Sequence, residues 1–266
     1  MSAKSHHSWQ QLLGTSIVAL VCVLAIGLLQ VPQLAELQRQ ATTPSVATLR
    51  QQLEAQKVQL NLLEKIPTFG FDNLIADWAF LNFLQYFGDE PARQQTDYSL
   101  SPEFFDVVLT HNPRFLEAYT FLSTSTALYA GEPERSVALM DQGLESLSPT
   151  VPPGSFFVWR NKGIDELLFL GDSQAARRSF ETAAEWASQS NIPGSDQVAQ
   201  LSRQTAQFLA NNPDSKTAQV AAWAMVLENA PDDRTRRTAV DRIRLLGGDV
   251  VASPDGGFQI MPPSSD

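Results

Sequence analysis

Residues 119–143 read YTFLSTSTALYAGEPERSVALMDQG and residues 159–183 read WRNKGIDELLFLGDSQAARRSFETA. A shift of 40 residues lays the first stretch on the second: Tyr119 on Trp159, Ser123 on Gly163, Tyr129 on Phe169, Gly131 on Gly171, Ser136 on Ala176, Met140 on Phe180 and Gly143 on Ala183. Each unit opens with a large residue, places a small one four positions later and turns at a glycine. It then runs small, large, small at spacings of four and three. Two antiparallel helices in close contact require this alternation, because small positions let the backbones approach and large ones fill the space between them. One such unit cannot bury its apolar face alone, so the units are expected to stack.

Outward from this pair the pattern stays helical. Helices are expected at about 72–88, 101–111, 114–130, 134–147, 155–170, 173–189, 196–210, 215–229 and 232–246. Pro102, Pro133 and Asp172-Ser173 stand at helix starts, while Gly88, Gly131, Gly171 and Gly247-Gly248 stand at helix ends. In the tail, residues 248–266, Asp249–Ser253 and Phe258–Met261 flank Pro254-Asp255-Gly256-Gly257. That tail reads either as a small hairpin or as a loose end. The fold class is all-α, with the main helical domain at residues 71–247.

Trp159, Gly163, Gly171, Ala176, Phe180 and Ala183 resemble the tetratricopeptide-repeat consensus, with one residue inserted between the helices. The earlier unit carries Tyr119, Ser123, Gly131, Ser136, Met140 and Gly143 and closes at Pro149. Trp78, then Ser101, Phe105, Val108 and Pro113, resemble a repeat further upstream. The stretches from Ala76-Asp77-Trp78 to Gln85-Tyr86-Phe87-Gly88 and from Asn112-Pro113-Arg114-Phe115 to Tyr119 are also similar to the opening repeats of membrane-anchored bacterial tetratricopeptide proteins. The resemblance covers roughly residues 70–190, and residues 196–246 read as a degenerate terminal repeat or cap. It implies a solenoid of helix pairs that scaffolds other proteins and has no chemistry of its own. It also implies a groove lined by the first helix of each unit: Glu117, Thr120, Thr124 and Ala127, then Phe157, Arg160, Ile164 and Leu167. Arg160 and Asn161 have the donors to hold a peptide carboxylate. The ordinary alternative is a solvated Arg160 in an ion pair within its repeat.

At the other end of the chain, residues 12–31 read LLGTSIVALVCVLAIGLLQV, without a charge. Twenty residues at ~1.5 Å each match the ~30 Å hydrocarbon core of a bilayer. A cleaved signal peptide would have a shorter apolar stretch and a small-x-small site after it, and Gln30-Val31-Pro32-Gln33-Leu34 offers none. Leu20 and Val21 before Cys22 also argue against a lipid-modified cysteine. Residues 12–31 are therefore expected to be a single transmembrane helix behind a short tail, residues 1–11. Lys4 and the amino terminus precede it, and the positive-inside rule keeps that tail in the cytoplasm and exports the helical domain.

Residues 32–70 form a linker. From Ser45, Val46, Leu49, Leu53, Gln56, Leu60 and Leu63 fall on a heptad seam, which reads as a short coiled coil or as one amphipathic helix packed on the next domain. Pro67 and Gly70 end it. The helix that follows is apolar nearly all round, and such helices are usually buried. Phe80, Phe83 and Phe87 share a face at spacings of three and four. They read either as core or as an exposed aromatic ledge for membrane headgroups or a partner helix.

The chain has 266 residues and a net charge of −10, so it is a poor candidate for binding nucleic acid. Residues 1–44 carry two basic residues and one acidic, leaving 17 basic and 28 acidic residues in the rest. Arg234, Arg236, Arg237, Arg242 and Arg244 make a basic run. With Asp233, Arg237 and Asp241 at i,i+4 it reads as a solvated face of ion pairs. One cysteine excludes an internal disulfide framework. His111 is the only histidine outside the N-terminal tail and stands at a helix end, where a capping role is ordinary. No nucleotide-binding, hydrolase or zinc-protease motif is present, and Asp165-Glu166 are adjacent and so diverge on a helix. No catalytic residue, metal, cofactor or small-molecule substrate is expected. The expected function is a scaffold for protein partners, held in the membrane by residues 12–31 and assisting assembly or stability of a membrane complex. The alternative is a permanent accessory subunit of such a complex.

Overall fold

The structure is a computed structural model that describes Gln30 and residues 45–212, 215–228, 230, 233–252 and 258–263. The expected transmembrane helix lies outside the described residues, as does the linker up to residue 44. Among the described residues, no helix is long and apolar enough to cross a membrane. The chain divides into two compact units, residues 1–51 and 52–266.

Helix α1 spans Val46–Leu63. It is followed by α2 (Asp72–Gly88), a short α3 (Glu90–Thr96), α4 (Ser101–His111) and α5 (Leu116–Leu122). A π-helical segment, π1 (Ser123–Ala130), continues α5 directly. Then come α6 (Pro133–Leu144), α7 (Phe156–Leu168), α8 (Ser173–Gln189), α9 (Ser195–Asn211), α10 (Lys216–Glu228) and α11 (Asp233–Leu245). The tail is a hairpin: β1 (Asp249–Ala252) pairs antiparallel with β2 (Phe258–Met261), Asp249 opposite Met261. The described molecule is thus all-α apart from this hairpin.

Local chemistry sets the helix ends. Asp172 caps α8 by accepting from the Ala175 amide at 2.8 Å, and Asp89 caps α3 by accepting from Ala92. Gly131 and Gly171, equivalent under the 40-residue shift, both take left-handed φ (74° and 66°), so the two units turn alike. Short turns then fold α8 back on α7 and α9 back on α8, each packed on its neighbour.

The small-and-large alternation is visible as contact. A Cβ on Gly143 of α6 would lie 1.9 Å from the Tyr119 hydroxyl oxygen, and one on Gly163 of α7 would lie 3.1 Å from the Phe180 ring of α8. Tyr119 is fully buried, and its hydroxyl donates to the Pro113 carbonyl at 2.6 Å. Burial pushes the Tyr119 phenol well above its usual range. The expected helix over 114–130 differs in one respect. Its second half carries four hydroxyl residues in a row, Ser123-Thr124-Ser125-Thr126, and follows the wider π spiral.

The largest apolar cluster gathers Phe83, Phe104, Phe105, Tyr119 and Met140, with Leu60 and the half-buried Leu53 and Leu63 of α1 against it. Charge also ties α1 here. Buried Glu103 of α4 accepts from Lys57 at 3.3 Å and from Arg135 of α6 at 3.2 Å. His111, at the end of α4, meets the Leu63 carbonyl at 2.9 Å and Asp72 at 3.4 Å, so it joins the end of α1 to the start of α2. A second cluster surrounds Trp223 of α10 with Leu168, Val220, Ala239 and Ile243, and the hairpin's Val250 and Ile260 flank it. Helices α10 and α11, from the stretch that matches the repeat consensus poorly, thus fold back beside α7 and π1 around a buried indole.

Candidate functional site

Four of the nine residues singled out for the groove converge. Thr120 of α5, Thr124 of π1, and Asn161 and Ile164 of α7 line a cleft of about 300 Å³, whose far wall is Ala222, Met225 and Val226 of α10. The floor is apolar: Leu128, Leu168 and Phe169. Glu117, Phe157 and Arg160 do not line the cleft but lie on the same helix faces. Glu117, Thr120 and Thr124 are spaced at three and four, and Phe157, Arg160, Asn161 and Ile164 at three, one and three. Glu117 and Phe157 are exposed, while Ala127 and Leu167 are buried and belong to the core.

Arg160 is half-buried and makes no hydrogen bond or ion pair among the described residues, so the expected ion pair within its repeat is not formed. Desolvation alone pulls its guanidinium pKa down. Its neighbour Lys162 is the paired cation of this helix. It meets Asp141 at 2.7 Å and Glu166 at 3.3 Å and lies over the Trp159 ring.

Behind the cleft, Asp165 is buried and pins three elements. It accepts from Ser123 of π1 at 2.6 Å and from Ser136 of α6 at 2.7 Å. Burial raises its pKa to about 7, the two hydroxyls oppose that rise, and the neighbouring Glu166 adds to it. Glu166 points elsewhere, accepting from Ser179 of α8 at 2.6 Å. The two acids diverge on α7, as adjacent helical residues do, and each serves a different contact. Sequence reasoning missed this cluster because Ser123 and Ser136 lie 42 and 29 residues from Asp165. The only local signal was the small serine at each packing position.

Of the two readings of the Phe80, Phe83 and Phe87 face, the fold forms core rather than an exposed ledge. Phe83 is 0% exposed and packs against Phe104 and Phe105, and Phe80 and Phe87 are half-buried beside it. This face is core because Ala76 and Ala79 share it with Phe83 and Tyr86, letting α4 approach closely. The exposed apolar residues of α2 are instead Leu74, Trp78, Leu81 and Leu84.

The basic run also departs from expectation. Asp233 pairs with Arg236, three residues on, rather than with Arg237. Arg234 turns inward over the Tyr98 and Tyr129 rings, 5.2 and 5.5 Å from their centroids. Its head also reaches the Tyr129 carbonyl, at the edge of a wide cleft of about 800 Å³ that includes Phe87, Glu90 and Arg237. Cation–π contact of this kind holds the start of α11 against π1.

No protein-family model matches the chain, and no curated protein or solved structure matches it either.

Proposed function

We propose that the chain is a tetratricopeptide-like scaffold, anchored in a membrane by residues 12–31, that holds a protein partner along the α5–π1 and α7 groove and so assists assembly or stability of a membrane complex. The observation that carries the proposal is the cleft itself. Thr120, Thr124 and Ile164, chosen from the resemblance to tetratricopeptide repeats, come together with Asn161 over an apolar floor. Arg160, without an ion-pair partner among the described residues, adds a guanidinium fork on the same helix face. A peptide with an apolar side chain and a carboxylate suits this pairing, because a half-buried Arg binds a planar carboxylate through two parallel hydrogen bonds. The anchor confines the groove to two dimensions and raises its effective concentration for membrane partners. The positive-inside rule places the helical domain on the non-cytoplasmic side.

The test is purification of the tagged full chain from its native membrane in mild detergent. A protein companion at fixed ratio is expected. Arg160→Glu is expected to weaken its retention by at least about tenfold while circular dichroism stays unchanged. The absence of any stoichiometric companion across several gentle detergents would count against the scaffold. A companion that survives high salt would identify a permanent subunit rather than a transient assembly factor.

A further inference from the structure

Helix α2 is apolar on two opposite sides, and packing uses only one. On the other side, Phe71, Leu74, Trp78 and Leu81 recur at spacings of three, four and three, and all four are exposed, Leu74 at 65% and Leu81 at 60%. The turn before the helix continues the patch. Ile66 is exposed, and Phe69 stands 87% exposed at its tip. Phe69 also holds a left-handed φ of 52°, a conformation unfavourable for any residue with a Cβ, so the backbone is strained at the residue that projects furthest into solvent.

The chemistry of the patch selects its occupant. From Ile66 to Leu84 the only ionisable residues are Asp72 and Asp77. Asp72 is occupied by the Thr68 hydroxyl at 2.7 Å and by His111. Lys65 stands immediately before the patch, with a stem long enough to lift its charge back to water. Asp77, exposed beside Trp78, is the one charge along this face, and aromatic side chains beside aliphatic ones are what a helix lying in a bilayer interface carries. Chain length permits it: thirteen residues lie between Val31 and Ser45, and the fourteen steps they span reach at most about 50 Å when fully extended.

We propose that the turn Ile66–Phe71 and the outer face of α2 rest in the headgroup-to-acyl boundary of the bilayer that holds residues 12–31. This inference builds on the anchored reading above. Phe69 and Phe71 then enter at the tip, Leu74, Trp78 and Leu81 lie along the interface, and the groove is held at a fixed attitude to the membrane. The acidity of the chain favours a neutral lipid surface for this contact.

The experiment uses the full chain in phosphatidylcholine vesicles, with Cys22→Ala removing the native thiol. A nitroxide is placed at Leu81→Cys, at Phe69→Cys or, for reference, at the exposed Arg203→Cys of α9. Collision with a water-soluble nickel chelate is expected to be several-fold lower at positions 69 and 81 than at 203, and collision with oxygen higher. Equal chelate collision at all three sites, in protein that still floats with its vesicles, would overturn the proposal and leave the anchor intact. Dipolar broadening at position 81 that vanishes on dilution with unlabelled chain would assign the face to a second copy and overturn it equally. A chain that does not float would defeat the anchored reading, and this one with it.

Discussion

Helices α2 and α8 are both seventeen residues long and meet the fold in opposite ways. On α8, Ala176, Phe180, Ala183 and Ala187 form a single buried stripe, and Arg178, Glu181 and Glu185 face water. Its sequence contains its own orientation. On α2, Phe83 and Tyr86 are buried while Leu74 and Leu81 are exposed, although all four positions hold large, largely apolar side chains. Hydrophobicity does not choose between the two faces of α2. Size does, because Ala76 and Ala79 open one face to α4. A helix with one apolar face is complete once packed, whereas a helix with two keeps an apolar face that calls for a second environment.

Substitutions on the two faces of α2 should separate most widely. Phe83→Ala is expected to cost about 3–5 kcal/mol in denaturant unfolding, since it empties a site enclosed by Phe104 and Phe105. An unfolding midpoint unchanged from that of the parent chain would place Phe83 outside the core.

The Asp165 pin should come next. Asp165→Ala strands the Ser123 and Ser136 hydroxyls and is expected to cost about 1–3 kcal/mol, with Asp165→Asn less harmful. The pH dependence has a definite sign. The folded-state pKa of about 7 lies above the ordinary 3.8, so between those values the folded chain holds a proton that the unfolded chain has released. This contribution is full below about pH 4, declines as pH rises to about 7 and is absent above. Asp165→Asn is expected to lose less stability than the parent over that range. Parallel unfolding curves for the two proteins would show that Asp165 stays ionised throughout.

Close packing within the repeat gives a third test. Gly143→Ala pushes a methyl into the Tyr119 ring and is expected to cost about 1–3 kcal/mol. Gly163→Ala should cost less, because its 3.1 Å approach to the Phe180 ring needs only a small shift. The smallest effect is expected at the outer face of α2, where Trp78→Ala should change unfolding in detergent by no more than about 0.5 kcal/mol. A cost comparable to that of Phe83→Ala would mean that the outer face is packed against protein.

Much of the architecture is legible in local sequence. The helix boundaries follow from proline, aspartate and glycine at their ends. The 40-residue pattern places Tyr119 against Gly143 and Gly163 against Phe180, because size complementarity between helices leaves a direct trace in residue volume. Thr120, Thr124 and Ile164 could be chosen for the groove from the resemblance to tetratricopeptide repeats, and Asn161 from its donors beside Arg160. What escapes is set by contacts distant in sequence. The inward face of α2 depends on α4, the burial of Asp165 depends on serines from two other elements, and the stacking of Arg234 depends on Tyr98 and Tyr129 more than 100 residues upstream. The π turn escapes for a different reason: apolar periodicity over eight residues does not distinguish a π spiral from an α-helix.

The scaffold reading is tested most directly by a photo-activated amino acid placed at Thr124, inside the groove, and at Arg203 for comparison, with the full chain in its native membrane. One dominant protein adduct is expected from position 124, absent from position 203 and suppressed by Arg160→Glu. Adducts that are the same from both positions, or that survive Arg160→Glu unchanged, would contradict it.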